Sequence, residues 1–471
     1  GGNSVQIPIT NGIYTDGNSD YRVAYPVNYV LVPMVNGVNN SFLRPAYGIE
    51  TFANIAGDDR GGINWDGVHY RVIDQSLYKI NQDASYVELG AIPGTDKVKI
   101  DYGFDRMSIA ANNGLYFYKQ SEGVTQNTDV DLGVVLDQQW IDGYYMTTDG
   151  TFLVVTDIND PYSVNPLKYG TTDIDPDPVI ALLRMRGEIV ALNRYTCQTL
   201  RNVGGNGFPF VTNQGAIINK GPVSRDACCV FADVLAFVGS GKGESLGVYL
   251  AINGSTSKIS SQEIDLIING KTQEEISDIK VDVMIDASHE YLLIHLNDRT
   301  LMYDSSASQQ AGALIWSVLT SNYDGLGQYR GRNYVFCHGV WYCGDVLGGK
   351  VGIVTRDLMS HFGDTVRWEI TTAIIYNESS GAIFHELELV ALTGRCEIGS
   401  NPTINTQYSL DGMTWSQLKT IPAGKQGNRS IRLVWFQLGK MDTVRMQRFN
   451  GWSDSLLTFS RLEARLEPLV W

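Results

Sequence analysis

Between Ala56 and Asp364 one pattern recurs about seven times at roughly 40-residue spacing. A short apolar strand meets a turn built from Gly, Asn or Asp, and a second strand rich in aromatic residues follows. Examples are Tyr70-Arg71-Val72 with Leu77-Tyr78-Lys79, Met107-Ser108-Ile109 with Leu115-Tyr116-Phe117-Tyr118, and Tyr144-Tyr145-Met146 with Phe152-Leu153-Val154-Val155. Val179–Leu183 with Ile189–Leu192 and Cys229–Phe231 with Val234–Val238 continue the series, and Tyr291–Ile294 with Leu301–Tyr303 and Tyr334–Phe336 with Val340–Tyr342 end it. A hairpin of that size cannot bury its own apolar face, so the copies must pack on one another. Such a repeat predicts a β-propeller of six to eight blades, seven preferred. Propellers host catalysis, binding and scaffolding alike, so the architecture leaves function open.

The repeat stops near residue 365. From Val366 the strands lengthen and alternate, as in Trp368–Ala373, Leu387–Leu392 and Ile431–Trp435, which predicts a β-sandwich over 366–471. Residues 1–55 form a turn-rich, extended lead-in that crosses the propeller rim or completes a blade. One stretch breaks the β pattern. Ile264–Ile279 predicts a helical insertion, with a turn at Asn269-Gly270 and a second helical turn opened by Thr272 with Glu275 three residues on. The fold class is therefore all-β: a propeller over 56–365, then a sandwich.

The formal net charge of −15 opposes wrapping by nucleic acid, because phosphate contacts need Lys and Arg. The charge is uneven, however. From Gly424 to Leu466 stand eight basic residues (Lys425, Arg429, Arg432, Lys440, Arg445, Arg448, Arg461, Arg465) against the three acids Asp442, Asp454 and Glu463. This stretch is either ordinary surface charge spread over a sheet or a face that docks an acidic partner. Arg432, Arg445, Arg448, Arg461 and Arg465 are the candidate partner-facing residues. The 6 cysteines contain no CxxC pair and form no disulfide framework, so buried, reduced thiols are expected. No signal peptide is read. No apolar run reaches the ~18 residues a membrane helix needs, so no membrane insertion is expected.

Motifs of catalysis fail on spacing or context, and no catalytic residue, cofactor or metal is expected. Gly243-Glu244-Ser245-Leu246-Gly247 has the letters of a nucleophile elbow, but a strand pattern follows where a helix is required. The loop Gly239–Gly243 lacks the spacing of a phosphate cradle. His289 and His295 are too far apart for a helical zinc pair, and Cys337 and His338 diverge as strand neighbours. Asp173, Asp175 and Asp177 alternate like a calcium loop, but Arg184 stands where the bidentate Glu belongs. Ser409–Trp415 resembles the Asp box of sialidases shortened by one residue, which is a structural turn.

Several segments together resemble one family. Tyr25-Pro26-Val27-Asn28 precedes Leu43-Arg44-Pro45, and Arg60-Gly61-Gly62 leads into Tyr70-Arg71-Val72. Thr156–Pro161, Asn165–Tyr169 and Asp175–Pro178 follow, then Lys220-Gly221, Ser288–Leu296 running into Leu301–Ser306, and Arg432–Gly439. In content and order these are similar to the packaged-DNA stabilisation proteins, the tail hub (tail accessory factor) of lambdoid short-tailed bacteriophages. The segment Thr196–Gly205 departs from that family, since Thr199-Leu200-Arg201 lacks its usual acidic residue. The resemblance implies a non-enzymatic structural protein of the virion tail, present in the host cytoplasm during assembly. It also implies a hexameric ring below the portal and adaptor proteins, carrying a tail needle as plug and offering its side to tailspikes. DNA would pass through the ring without sequence-specific binding. The alternatives are a carbohydrate-binding or glycan-cleaving propeller that recognises a receptor, and an intracellular scaffold.

Overall fold

The computed structural model describes residues 3–9, 14–15, 25–34, 37–172, 177–287, 289–372, 375–376, 380–392, 401–424, 432–454 and 457–469. Seven antiparallel sheets follow one another around a ring. Blade 1 holds Asp59–Trp65, Val68–Ile73, Ser76–Ile80 and Tyr86–Ala91, and blade 2 runs from Lys99–Tyr102 to Gly123–Gln126. Blade 3 runs from Asp137–Ile141 to Asp160–Val164, blade 4 from Val179–Met185 to Phe210–Thr212, and blade 5 from Gly221–Pro222 to Ser255–Lys258. Blade 6 holds Lys280–Asp286, His289–His295, Thr300–Asp304 and Leu314–Leu319, with Tyr14–Thr15 added at its outer edge. Blade 7 begins with Gly331–Cys337, Val340–Asp345 and Gly348–Thr355. The innermost strand of each blade, which is the first in chain order except in blade 5, where it is Cys228–Phe231, touches the innermost strand of the next, and blade 7 returns to blade 1.

The hairpin repeat in the sequence marks two adjacent, largely buried strands of each blade. Two-residue turns with both residues at positive φ join several of them, including Asn112-Asn113, Arg186-Gly187, Ala232-Asp233 and His338-Gly339. Such turns match the right-handed twist of the strands they connect. The apolar core is not central. It is divided into slabs between adjacent blades, such as Val72, Leu77, Met107 and Ile109 between blades 1 and 2. Ala53, Ile73, Val335 and Tyr342 form the slab between blades 7 and 1.

The ring closes through the lead-in. Gly48–Asn54 pairs antiparallel with Gly348–Thr355, as the outermost strand of blade 7. The Ile55 amide donates to the Gly349 carbonyl at 3.0 Å, and a Cβ on Gly349 would overlap that Ile55 carbonyl. Upstream, Asn3–Ile7, Tyr29–Met34 and Gly37–Pro45 join the seven-stranded sheet of the C-terminal sandwich, beside Thr458–Pro468, Ala382–Leu392, Leu433–Phe436 and Lys440–Met441. The facing sheet comprises Arg367–Thr371, Ile375–Tyr376, Thr403–Ser409, Lys419–Pro422 and Val444–Trp452. Their shared core contains Trp368, Phe384, Trp435, Phe449 and Phe459. Tyr29 packs into it against Trp368, with ring centroids 5.0 Å apart. The lead-in is thus built into both units, because its apolar residues find burial only there.

The helical insertion lies between blades 5 and 6, as Gln262–Asn269 and Gln273–Ser277. Thr272 and Glu275 make the reciprocal capping bonds that the sequence implies. A third helix, Ser305–Ala311, sits inside blade 6 and was not expected. Its signals are local: Asp304 caps the start by accepting from the Ala307 amide, and Gly312 ends it in the left-handed conformation.

Asn28 clamps the lead-in where the two units meet. It is buried with φ near 56°. Its Nδ2 donates to the carbonyls of Thr320 and Arg367 at 2.9 and 2.7 Å, and its Oδ1 accepts from the Thr320 amide at 3.1 Å. Asn28→Ala removes these three bonds and leaves buried backbone groups unpaired, at a cost of about 3 kcal/mol. Chemical denaturation should show that loss with the far-ultraviolet spectrum unchanged.

Candidate functional site

The innermost strands carry charged side chains that stitch one blade to the next. Asp101 of blade 2 accepts from the Trp140 amide of blade 3 at 2.7 Å and pairs with Arg184 of blade 4 at 2.8 Å. Asp137 of blade 3 accepts from the Leu182 amide of blade 4 at 2.8 Å and pairs with Lys99 of blade 2 at 3.1 Å. Asp282 of blade 6 accepts from the amides of Asn333 and Tyr334 in blade 7 at 3.0 and 3.1 Å. Asp59 of blade 1 pairs with Arg71 at 2.8 Å and accepts from Asn333 Nδ2 at 2.7 Å. Asp101, Asp137 and Asp282 thus occupy backbone amides at the front edge of the next sheet that would otherwise need water.

Other bonds span the bore. Lys97, in the link between blades 1 and 2, donates to the Asp278 carboxylate at 3.1 Å and to its carbonyl at 2.9 Å. Asp278 lies just before blade 6, on the opposite side of the ring. Arg225 of blade 5 donates to the Lys97 carbonyl at 2.6 Å and to the Leu136 carbonyl, in the link between blades 2 and 3, at 3.2 Å. Bonds of this length across the axis close that end of the bore.

Burial sets the protonation of several groups in the propeller. Burial alone would raise the pKa of Asp282, but Lys280 and the hydrogen bond from His295 bring it down to about 2. Burial, then the Arg332 guanidinium, pushes His295 down to about 3. His361, bonded to Ser321 Oγ at 2.7 Å, is pushed down to about 3 by burial and then Arg330. Burial, then Arg71, holds His69 well below its usual range.

The basic stretch does not form one face. Arg445 is 0% exposed, so it cannot present itself to a partner. Its guanidinium lies between the rings of Phe384 and Tyr408, 4.1 and 4.0 Å from their centroids. Arg448 is partly buried, 3.6 Å over the Trp415 ring and 3.4 Å from the Glu369 carboxylate. These two expectations fail for one reason: strand alternation turns Arg445 into the sandwich, and an aromatic ring covers Arg448. Arg432, Arg461 and Arg465 are exposed on the outer side of the seven-stranded sheet. Each has an acid nearby: Arg432 and Glu388 at 2.9 Å, Arg461 and Glu463 at 2.8 Å, Arg465 and Glu386 at 3.8 Å. The exposed face is therefore a lattice of both signs. Lys425 and Arg429 lie outside the described residues.

The other sequence motifs stay apart. Ser245 lies in a loop that enters the strand Gly247–Ile252. His289 Nδ1 is 2.7 Å from Asp304, whereas His295 bonds Asp282 and Thr300 at the other end of the strand. Cys337 Sγ donates to the Gly67 carbonyl at 3.5 Å, and His338 Nδ1 is 3.2 Å from the Tyr342 hydroxyl. Asp173 and Asp175 lie outside the described residues, while Asp177 accepts from the Tyr195 amide and from Thr196. Asp411 of the shortened Asp box accepts from the amides of Met413 and Thr414, closing its own turn. Among the described residues, no group of three or more His, Cys, Asp or Glu could hold a metal ion. Sequence reasoning missed the bore-closing set, because Lys97, Arg225 and Asp278 meet only once the ring forms.

The buried groups predict acid sensitivity. In the unfolded chain a histidine takes up its proton near pH 6.5, but His295 and His361 do so in the fold only near 3. The unfolded chain therefore binds protons first, and stability falls as pH drops from 6.5 toward 3, by up to about 1.4 kcal/mol per pH unit for each group. Asp282 adds its own loss as pH falls from 3.8 through 2, since its contribution needs the ionised form. Melting temperature should decline below pH 6.5, and His361→Gln should make that decline shallower.

Comparison with known proteins places these features in a family. The model described as bacteriophage P22 Gp10, beta-propeller, matches residues 5–359, and that described as bacteriophage P22 Gp10, beta-sandwich, matches residues 367–467. The chain is 25% identical over 484 aligned residues to the tail hub protein gp10 of Salmonella phage P22, covering 98% of this chain and 99% of that one. Among solved structures, the Pan2 WD40 domain of Neurospora crassa aligns with a TM-score of 0.40 at 9% identity, covering 65% of this chain and 95% of its own. BamB from Moraxella catarrhalis aligns at 0.39 and 10% identity, covering 75% and 96%. These two likenesses are too slight to build on.

Proposed function

The chain belongs to the bacteriophage P22 Gp10 family, and from that membership we propose that it is a structural hub of a short phage tail. The end-to-end match to a tail hub protein carries the reading. In this role the chain has no catalytic function. Its partners are the portal and adaptor proteins above, a tail needle below and tailspikes at the side, and it helps retain packaged DNA. Six copies form a ring, and the DNA path is the space enclosed between copies. The closed bore supports that placement: with Lys97 bonded to Asp278 and Arg225 to the Lys97 carbonyl, a propeller's own axis gives DNA no passage. An acidic chain suits the wall of such a path, because phosphate slides past a surface that does not bind it. The mixed-charge face of Arg432, Arg461 and Arg465 is the proposed contact with a neighbour or partner, since its ion pairs can exchange across a boundary.

Like-charged copies at −15 each repel, so the ring needs a partner to orient it. Mass measurement of the purified chain, alone and mixed with the portal–adaptor complex of its phage, should give a monomer alone and six copies on the complex. A stable hexamer of the isolated chain refutes the templating, and no association with the complex refutes the hub. Charge reversal at Arg432 and Arg465 together should weaken assembly and raise its salt sensitivity without lowering the melting temperature. Unchanged assembly removes that face from the contact.

A further inference from the structure

A pocket of about 360 Å³ lies in the C-terminal sandwich. One wall is the strand pair Thr403–Ser409 and Val444–Trp452, which contributes Thr406, Tyr408 and Gln447; the other includes Gln437, on the segment that runs on from Leu433–Phe436 of the facing sheet. Gln407 and Gln417 bring the lining to four glutamines, and Ser416, Lys419, Leu418, Leu438 and Gly439 make up the rest. Amides and hydroxyls both donate and accept, which suits a ligand carrying several hydroxyl groups.

Beside this pocket lies a buried charge without a counter-ion. Among the described residues no carboxylate pairs with Arg445, and its Nη1 has no hydrogen-bond partner. Its two faces are covered by Phe384 and Tyr408. Its Nε and Nη2 both donate to Gln447 Oε1, at 3.1 and 3.0 Å. One amide oxygen therefore receives the fork that a carboxylate would take with two. Tyr408 and Gln447, the residues that hold Arg445, are also the pocket wall. An unpaired guanidinium is costly to bury, and replacing buried charge with apolar groups of similar volume is often neutral or stabilising. Its place here calls for an anion.

We propose that this pocket binds a carboxylate-bearing sugar, a hexuronate, whose carboxylate takes over the Arg445 guanidinium from Gln447 while the amides of Gln417 and Gln437 bond its hydroxyls. The pocket's size is that of a small-ligand site. This goes beyond the tail role, which needs no sugar.

The test is calorimetric titration of the full chain with glucuronate and galacturonate. Methyl glucoside serves as the ring without charge, and acetate as the charge without ring. At least one uronate should bind, with methyl glucoside and acetate at least tenfold weaker. Arg445→Met should weaken the uronate at least tenfold while the melting temperature holds or rises. Gln417→Ala and Gln437→Ala, which leave Arg445 in place, should each weaken it several-fold, and they carry the test if Arg445→Met fails to fold. Absence of uronate binding overturns the proposal. Equal binding of methyl glucoside removes the carboxylate from recognition, and equal binding of acetate reduces the pocket to an anion site. Either result overturns it, as does full affinity in Arg445→Met or in both glutamine variants.

Discussion

The pairing of Gly48–Asn54 with Gly348–Thr355 is the contact on which the molecule depends. A propeller is a ring of sheets, and each blade has two faces to bury. Without the closing strand, the slab of Ala53, Ile73, Val335 and Tyr342 between blades 7 and 1 lies open to water. Closure joins residues about 300 positions apart, so its loop entropy is large and must be repaid by those contacts. The same lead-in supplies three strands to the sandwich sheet. Asn28, just before the second of those strands, bonds the blade 6–7 link and the Arg367–Thr371 strand of the sandwich together. Propeller and sandwich therefore share one chain segment, and neither completes its sheets without it.

Much of the architecture was legible because burial is uneven along each blade. The hairpins that stood out, such as Met107–Ala111 with Gly114–Lys119, are the strands packed on both faces. Outer strands such as Tyr86–Ala91 and Ser255–Lys258 are largely exposed, and exposure erases the apolar period. The closing strand was harder still, because nothing local states that it pairs with a strand so distant. The helix Ser305–Ala311 was missed although Asp304 and Gly312 mark both its ends, since its apolar face is short. For the candidate residues, composition gave a basic stretch but not its direction. Alternation sends Arg445 inward and Arg461 outward, and only strand register decides which.

Buried charge is used in two different ways. At the front of the blades, Asp59, Asp101, Asp137 and Asp282 each accept at least one hydrogen bond from the adjoining blade. A satisfied carboxylate fixes the register of one sheet against the next. In the sandwich, Arg445 has an aromatic sleeve and one amide, with no carboxylate. The contrast separates charge that holds the fold from charge that the fold alone leaves unsatisfied.

The hub reading and the closed bore both require a ring that stays shut when the chain stands alone. Hydrogen exchange resolved by segment measures this directly. The account predicts that amides of Gly48–Asn54 open with the same free energy as those of Val340–Asp345 in the same blade and Val68–Ile73 in the next, with rates within about tenfold of one another. Exchange of Gly48–Asn54 orders of magnitude faster, with those two strands still protected, would contradict it, since the propeller would then stand without its closing strand.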